Sequence, residues 1–169
     1  MRSWSRVALG MVIVLAGCTG PGGATAPVGA PTDNAAADRT GCGSPIATDA
    51  LPDWADKGFS GDARVPHVFG AQGEIVAVLF GNPLRVTRTD GSTNKILWVS
   101  RSAPTPADAP ASTDLTITAT LDGTDTRVTR QVANGPGPSI VDLPQAGCWH
   151  LDLRWSGRTD TLDLVYGES

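Results

Sequence analysis

Cys148-Trp149-His150-Leu151-Asp152-Leu153-Arg154-Trp155-Ser156-Gly157-Arg158-Thr159-Asp160-Thr161-Leu162-Asp163-Leu164-Val165-Tyr166 is the stretch whose alternation decides the fold. Trp149, Leu151, Leu153 and Trp155 share one face of an extended chain, and Cys148, His150, Asp152 and Arg154 share the other. A period of two marks a strand with one face on a core and the other in water. Ser156-Gly157 supplies a two-residue turn of the kind that joins antiparallel strands. Pairing through that turn sets His150 opposite Asp163, Asp152 opposite Thr161, and Arg154 opposite Thr159.

Upstream, the same signals recur. Residues 75–80 form an unbroken apolar run, suited to a strand covered on both faces. Residues 84–88 and 94–101 flank the turn signal Asp90-Gly91. Leu115, Ile117, Ala119 and Leu121 alternate with Asp114, Thr116, Thr118 and Thr120, and Asp122-Gly123 then turns the chain into residues 126–132. The loop Asn134-Gly135-Pro136-Gly137-Pro138 leads to a short strand at 139–143. Residues 51–59 read as one or two helical turns. Pro52 suits the first helical position, acids follow it, Lys57 lies near the end, and Gly58 can take the left-handed cap. Trp54 and Phe59 would anchor this segment on the sheet, the alternative being an exposed aromatic binding loop. The whole predicts an all-β chain: a single immunoglobulin-like β-sandwich of about seven to eight strands, with a short helical turn before the first strand.

The N-terminus specifies a location. Arg2 and Arg6 form a positive region, residues 7–15 are apolar but too few for a permanent bilayer span, and small residues precede Cys18. Leu15-Ala16-Gly17-Cys18 resembles a bacterial lipobox, which implies cleavage before Cys18 and attachment of acyl chains such as palmitate to its thiol. Residues 1–17 are then a lipoprotein signal peptide. Residues 18–41, rich in Gly, Ala, Pro and Thr, read as a lipid-anchored flexible linker with a reach of roughly 25 Å. Residues 42–169 form the sandwich domain. The expected address is the extracytoplasmic face of the cell membrane, with membrane lipid engaged through acylated Cys18.

Composition narrows the partners. The chain has 13 basic and 17 acidic residues among 169, a net charge of −4. Removing Arg2 and Arg6 with the signal lowers this to −6, a field that repels phosphate backbones and argues against nucleic acid. Both methionines, Met1 and Met11, lie in the signal, and the only histidines are His67 and His150. That donor set argues against copper and zinc, and no cofactor is expected. Cys42 and Cys148 are left as a pair outside the cytoplasm, where disulfides persist. Cys42 precedes the first strand, so a bridge would pin the entering segment rather than join two core strands; two free thiols are the alternative.

Gly73-Glu74-Ile75-Val76-Ala77-Val78-Leu79-Phe80, Asn94-Lys95-Ile96-Leu97-Trp98-Val99 and Gly147-Cys148-Trp149-His150-Leu151 resemble stretches of a group of uncharacterised actinobacterial lipoproteins. Asn-Lys-Ile-Leu-Trp is the most specific of them. The resemblance implies an envelope lipoprotein with a compact β domain, and carries no activity with it.

Candidate chemistry is sparse. His150 opposite Asp163 has the carboxylate–imidazole half of a nucleophilic triad. The chain has no serine in a Gly-x-Ser-x-Gly elbow, and Ser60 in Gly58-Phe59-Ser60-Gly61 does not fit that spacing. A cross-strand polar pair on a solvated face is the simpler reading. Asp122-Gly123-Thr124-Asp125 offers clustered oxygens for calcium but lacks the remaining ligands of a known loop, and Asp-Gly at a hairpin needs no metal. Trp98 shares a face with Ile96, and Leu97 with Val99, which reads as a buried central strand rather than a ligand platform. Lys95, at the start of that strand, is either solvated or paired. Phosphate-loop, dinucleotide and metalloprotease signatures are missing from the sequence. Two functions follow: a noncatalytic module holding an envelope protein or small ligand at the membrane surface, or an envelope-directed hydrolase using the His150/Asp163 face.

Overall fold

The structure, a computed structural model, describes residues 43–60, 63–101 and 112–169. These contain nine strands: β1 (His67–Phe69), β2 (Ile75–Leu79), β3 (Leu84–Arg85), β4 (Lys95–Ser100), β5 (Leu115–Leu121), β6 (Arg127–Val132), β7 (Pro138–Ile140), β8 (Gly147–Trp155) and β9 (Arg158–Gly167). A four-stranded sheet has the order β1-β2-β4-β7, and a five-stranded sheet the order β3-β9-β8-β5-β6. All neighbouring pairs are antiparallel except β3 with β9, which is parallel. The immunoglobulin-like sandwich read from the sequence is the architecture observed, with nine strands instead of seven or eight. No helix among the described residues is long and apolar enough to cross a membrane.

One hydrophobic cluster joins the two sheets. Val68, Ile75, Ala77, Leu79, Ile96 and Trp98 from the four-stranded sheet pack with Leu115, Ile117, Ala119, Trp149, Leu151, Leu153 and Leu164 from the other. The alternating residues of β8 account for much of it: Trp149, Leu151, Leu153 and Trp155 are all buried. The turn after β8 carries positive φ at both central residues, 45° at Ser156 and 73° at Gly157. That is the left-handed geometry whose twist matches two paired strands.

A second, smaller cluster explains the unbroken apolar run of β2. Val76 and Val78 project away from the main core and meet Leu51, Ala55 and Ala63, with Trp54, Phe59, Val65, Leu97 and Val99 packed around them. Residues 51–60 and 63–65 thus cover the outer face of the four-stranded sheet, and every β2 residue is buried. The segment is fixed by turns, not by a helix. Pro52 accepts bonds from the amides of Ala55 and Asp56 at 2.7 and 3.1 Å, and Asp56 accepts one from Phe59 at 2.8 Å. These two short turns satisfy the local amides without propagating into a helix. Trp54 and Phe59 do anchor the segment, as half-buried neighbours of the second cluster.

Two further boundaries differ from the sequence reading. The strand expected at 84–88 stops at Arg85, because Arg88 turns back to the carbonyls of Gly81 and Pro83, at 3.0 and 2.8 Å. The strand expected at 139–143 is displaced to Pro138–Ile140, after which Val141 and Leu143 enter the core.

The sheets are also tied by polar contacts. The turn between β1 and β2 lies on β9: the Ala71 amide donates to the Thr161 carbonyl at 2.7 Å, and the amides of Gln72 and Glu74 donate to the Asp160 carboxylate at 2.9 and 3.0 Å. At the other end of β9, the buried Tyr166 hydroxyl donates to the Val141 carbonyl at 2.6 Å.

Candidate functional site

The outward face of the five-stranded sheet is a regular polar grid. Register places Arg127, Thr120, His150 and Asp163 in one row across four strands. Thr129, Thr118, Asp152 and Thr161 form the next row, and Gln131, Thr116, Arg154 and Thr159 the third. The grid follows from the period of two: the residues between these positions point into the core. Every one of the twelve carries a hydrogen-bonding side chain.

His150 sits within this grid opposite Asp163, in the register set by the Ser156-Gly157 turn. Its Nδ1 lies 2.6 Å from Asp163 Oδ1, and its Nε2 lies 3.9 Å from Asp152 Oδ1. Asp152 is also 3.8 Å from Arg127 Nη2. The imidazole is therefore placed between two carboxylates, with its side chain 42% exposed. An orienting carboxylate on one nitrogen of a triad histidine needs a nucleophile on the other. Among the described residues, no hydroxyl or thiol is hydrogen-bonded to His150. Ser44, beside Asp163, serves another purpose: its Oγ accepts the Asp163 amide at 2.8 Å, and its amide donates to the Asp163 carbonyl at 3.1 Å.

Those Ser44 bonds fix where the chain joins the sandwich. Gly43, with φ of +95°, lies so close to β9 that a Cβ there would stand 2.8 Å from Val165 Cγ2. Val165 is the cross-strand partner of Cys148. The Cys148 thiol is engaged, not free. Cys18 and Cys42, with the expected signal peptide (1–17) and the whole of the expected linker (18–41), lie outside the described residues.

A cleft of about 350 Å³ opens beside this junction, bordered by Ser44, Ile46, Asn82, Arg85, Asp163 and Val165. His150 is not among its lining residues. Ile46 and Val165 are each half exposed along it.

The other candidates resolve into structural positions. Trp98 is buried and its indole Nε1 donates to Ser139 Oγ at 3.0 Å. Lys95 is exposed, with its ammonium 5.2 Å from the centroid of Phe80. Phe80 in turn stacks on Phe59 at 6.3 Å. In the Asp122–Asp125 turn the chain bonds to itself: Thr124 Oγ1 donates to the Leu121 carbonyl at 3.1 Å and accepts the Thr126 amide at 3.0 Å. Among the described residues, no group of three or more His, Cys, Asp or Glu side chains could hold a metal ion.

Three buried polar groups escaped the sequence reading. Asp160 is the buried acceptor for the β1–β2 turn. His67 is fully buried, with Nδ1 at 2.8 Å from the Val65 carbonyl and Nε2 without a partner. Trp155 is buried with its indole N–H unpartnered. Position in the alternation places Asp160 and Trp155 on the inner face, but the Gln72 and Glu74 amides that Asp160 accepts come from a remote turn and leave no local signal.

No family model matches the chain, and no curated protein matches it. Among solved structures, a candidate lipoprotein from Bacillus anthracis is similar at 15% identity, over 72% of this chain and 88% of its own, with a TM-score of 0.42. A likeness at that level carries neither a site nor an activity to this chain.

Proposed function

We propose that this chain is a noncatalytic envelope lipoprotein, anchored through acylated Cys18, that presents its β-sandwich as a binding or interaction module. The observation that carries the noncatalytic half is the setting of His150. Its two nitrogens face Asp163 and Asp152, and Ser44, beside Asp163, is committed to the Asp163 backbone. A histidine held between carboxylates on a solvated sheet stabilises strand pairing and needs no substrate.

The anchored half rests on the basic N-terminus, the short apolar run and Leu15-Ala16-Gly17-Cys18. The resemblance to actinobacterial lipoproteins points the same way. In this reading the linker leads to Gly43, where the Ser44–Asp163 bonds fasten the chain to β9 and a Cys42–Cys148 disulfide fastens it to β8. Fractionation of cells expressing Cys18→Ala tests the anchor. The unaltered chain belongs in the detergent-soluble membrane fraction as a processed, acylated form. The variant should accumulate unprocessed or leave that fraction. Mature protein carrying an unmodified Cys18 N-terminus would exclude the lipoprotein reading.

A further inference from the structure

The cover on the outer face of the four-stranded sheet stops one row short of the sheet's end. Phe80, immediately after β2, donates its amide to the Lys95 carbonyl at 3.0 Å, and Lys95 pairs with Ile140 of β7. Alternation puts all three on the outer face, one row beyond the covered Val78 and Leu97. Phe80 and Ile140 are 48% and 56% exposed, and Phe59 stacks on Phe80 at the edge of the cover. We propose that this row seats the sandwich on the surface of a phospholipid bilayer, with Phe80 and Ile140 entering the interface and Lys95 meeting lipid phosphates.

Three observations lead there. First, the row combines exposed apolar side chains with lysine on a chain that has almost none. Its only lysines are Lys95 and Lys57, the latter exposed two residues before Phe59. Lys95 Nζ stands 5.2 Å from the Phe80 centroid, which sets a cation beside an exposed ring, the pairing used by interfacial segments. Acids near the row are engaged elsewhere: Asp142 Oδ1 accepts Asn94 Nδ2 at 2.9 Å, and Asp90 lies 3.7 Å from Arg88. Second, the chain enters at this same end. Gly43, Ser44 and Ile46 border one cleft with Leu79, Asn82 and Pro83, which flank Phe80 in the sequence. Third, the far end is polar. Ser112, Asp114, Arg154, Ser156 and Thr159 border a shallow depression at the β8–β9 turn. Phe69, the exposed ring of β1, instead packs edge-on against His67 at 5.0 Å.

The point of entry selects a bilayer as the occupant, and this step rests on the lipid-anchored reading. The stretch between Cys18 and Gly43 has a reach of roughly 25 Å, more than the width of about 15 Å of a four-stranded sheet. The tether therefore brings the entry end to the membrane and lets the row on its outer face touch down. Because the chain is acidic overall, apolar entry must carry the contact, and the lysines set its preference for anionic headgroups. A tether also raises the effective concentration of the surface to about the millimolar range, so a face too weak to hold a free protein is sufficient. Docked this way, the polar grid of the five-stranded sheet, on the opposite outer face, turns away from the bilayer and toward a partner.

The test uses the processed, acylated chain, labelled with nitrogen-15, on nanodiscs of phosphatidylglycerol and phosphatidylcholine, with and without a gadolinium chelate on some headgroups. Mass and co-elution with the disc score the anchor, and amide broadening scores the docking. The amides of Phe80, Lys95 and Ile140 should broaden about tenfold more than that of Gly157, which lies about 25 Å further along the sandwich. Phe80→Ser combined with Ile140→Ser, both at exposed positions, should abolish this contrast while the chain stays on the disc. Lys95→Glu should weaken it on the mixed discs and leave it unchanged on phosphatidylcholine alone. A chain that stays on the disc with uniform broadening, or with another face broadened, overturns the docking and leaves the anchor standing. So does a contrast that survives the double serine variant. A chain that never joins the disc overturns both. Concentration-dependent shifts of the same row without lipid would assign the face to a second copy and also overturn the proposal.

Discussion

The Asp160 carboxylate occupies the space that a side chain on Gly70 would need: a Cβ built there stands 2.2 Å from Oδ2 and 2.4 Å from Cγ. The contact joins the two sheets, since Gly70 opens the β1–β2 turn and Asp160 belongs to β9. It also accounts for a buried acid on the inward face. Asp160 Oδ1 takes the amides of Gln72 and Thr161, and Oδ2 takes that of Glu74. Three amides hydrate this carboxylate in place of water, and absence of a Cβ at residue 70 lets the turn approach closely enough to supply two of them.

Two substitutions should therefore act on the same joint. Gly70→Ala forces the turn away from Asp160 and is expected to cost about 1–3 kcal/mol, the range for overpacking a closed site. Asp160→Ala leaves the Gln72 and Glu74 amides without their acceptor and should cost a similar amount, about 1–3 kcal/mol. Because both act through one contact, the double variant should fall short of the sum by more than about 0.5 kcal/mol. Urea unfolding of the four proteins completes the cycle; strict additivity would show that the turn is held by something else.

This joint also shows what was legible in the sequence and what was not. The β8–β9 hairpin could be read because alternation and a two-residue turn are local properties, and together they fix register. β2 could be read because covering on both faces leaves only apolar residues in the strand. Asp160, in contrast, breaks the apolar alternation of Leu162, Leu164 and Tyr166, and its partners come from residues 70–74. β1 was missed for a related reason: three residues including His67 carry no periodicity, and their burial depends on the segment laid over them. The register of His150 with Asp163 was legible, but the commitment of Ser44 to the Asp163 backbone was not.

Tyr166 gives a prediction with an unusually clean readout, because it is the chain's only tyrosine. Burial raises its pKa, the nearby Asp142 carboxylate adds to the rise, and Arg130 opposes it. A folded phenol with a raised pKa keeps its proton while the unfolded chain loses it above pH ~10. Stability contributed by this group is therefore present below that pH and is lost as pH rises beyond it. Absorbance at tyrosinate wavelengths should stay flat well past pH ~10 and rise only as the fold opens. Titration at an ordinary tyrosine pKa with the fold intact would contradict the burial. Tyr166→Phe should remove the alkaline loss due to this group, and cost about 1–3 kcal/mol at neutral pH by stranding the Val141 carbonyl.

The proposed Cys42–Cys148 disulfide predicts a linked fragment in non-reducing peptide maps of the exported protein. Gly43 lies against Val165, the cross-strand neighbour of Cys148. Closing a loop of about 100 residues contributes on the order of 4–5 kcal/mol in the chain-entropy treatment, less any strain. Cys42→Ser should thus lower the unfolding midpoint markedly, and reductant should have little further effect on that variant. Two alkylatable thiols at 42 and 148 in unreduced, unfolded protein would exclude the bridge.

His150 decides between the two readings of the chain. A half-exposed cross-strand pair on a solvated sheet is worth less than about 1 kcal/mol, even at the 2.6 Å separation seen with Asp163, because water competes for both groups and screens their charges. His150→Ala should accordingly unfold within about 1 kcal/mol of the parent, and Asp163→Asn should do the same. Both should reach the membrane in normal amounts and preserve whatever cellular phenotype deletion of the chain produces. A catalytic imidazole behaves otherwise: its removal abolishes the phenotype while fold and membrane level stay unchanged, and Asp163→Asn follows it because the orienting carboxylate and the imidazole act as one unit. Complementation of a deletion strain with each variant, with unfolding and membrane abundance measured alongside, separates the outcomes. Loss of complementation by both, without loss of protein, would replace the noncatalytic module by a hydrolase that recruits its nucleophile to the imidazole from elsewhere.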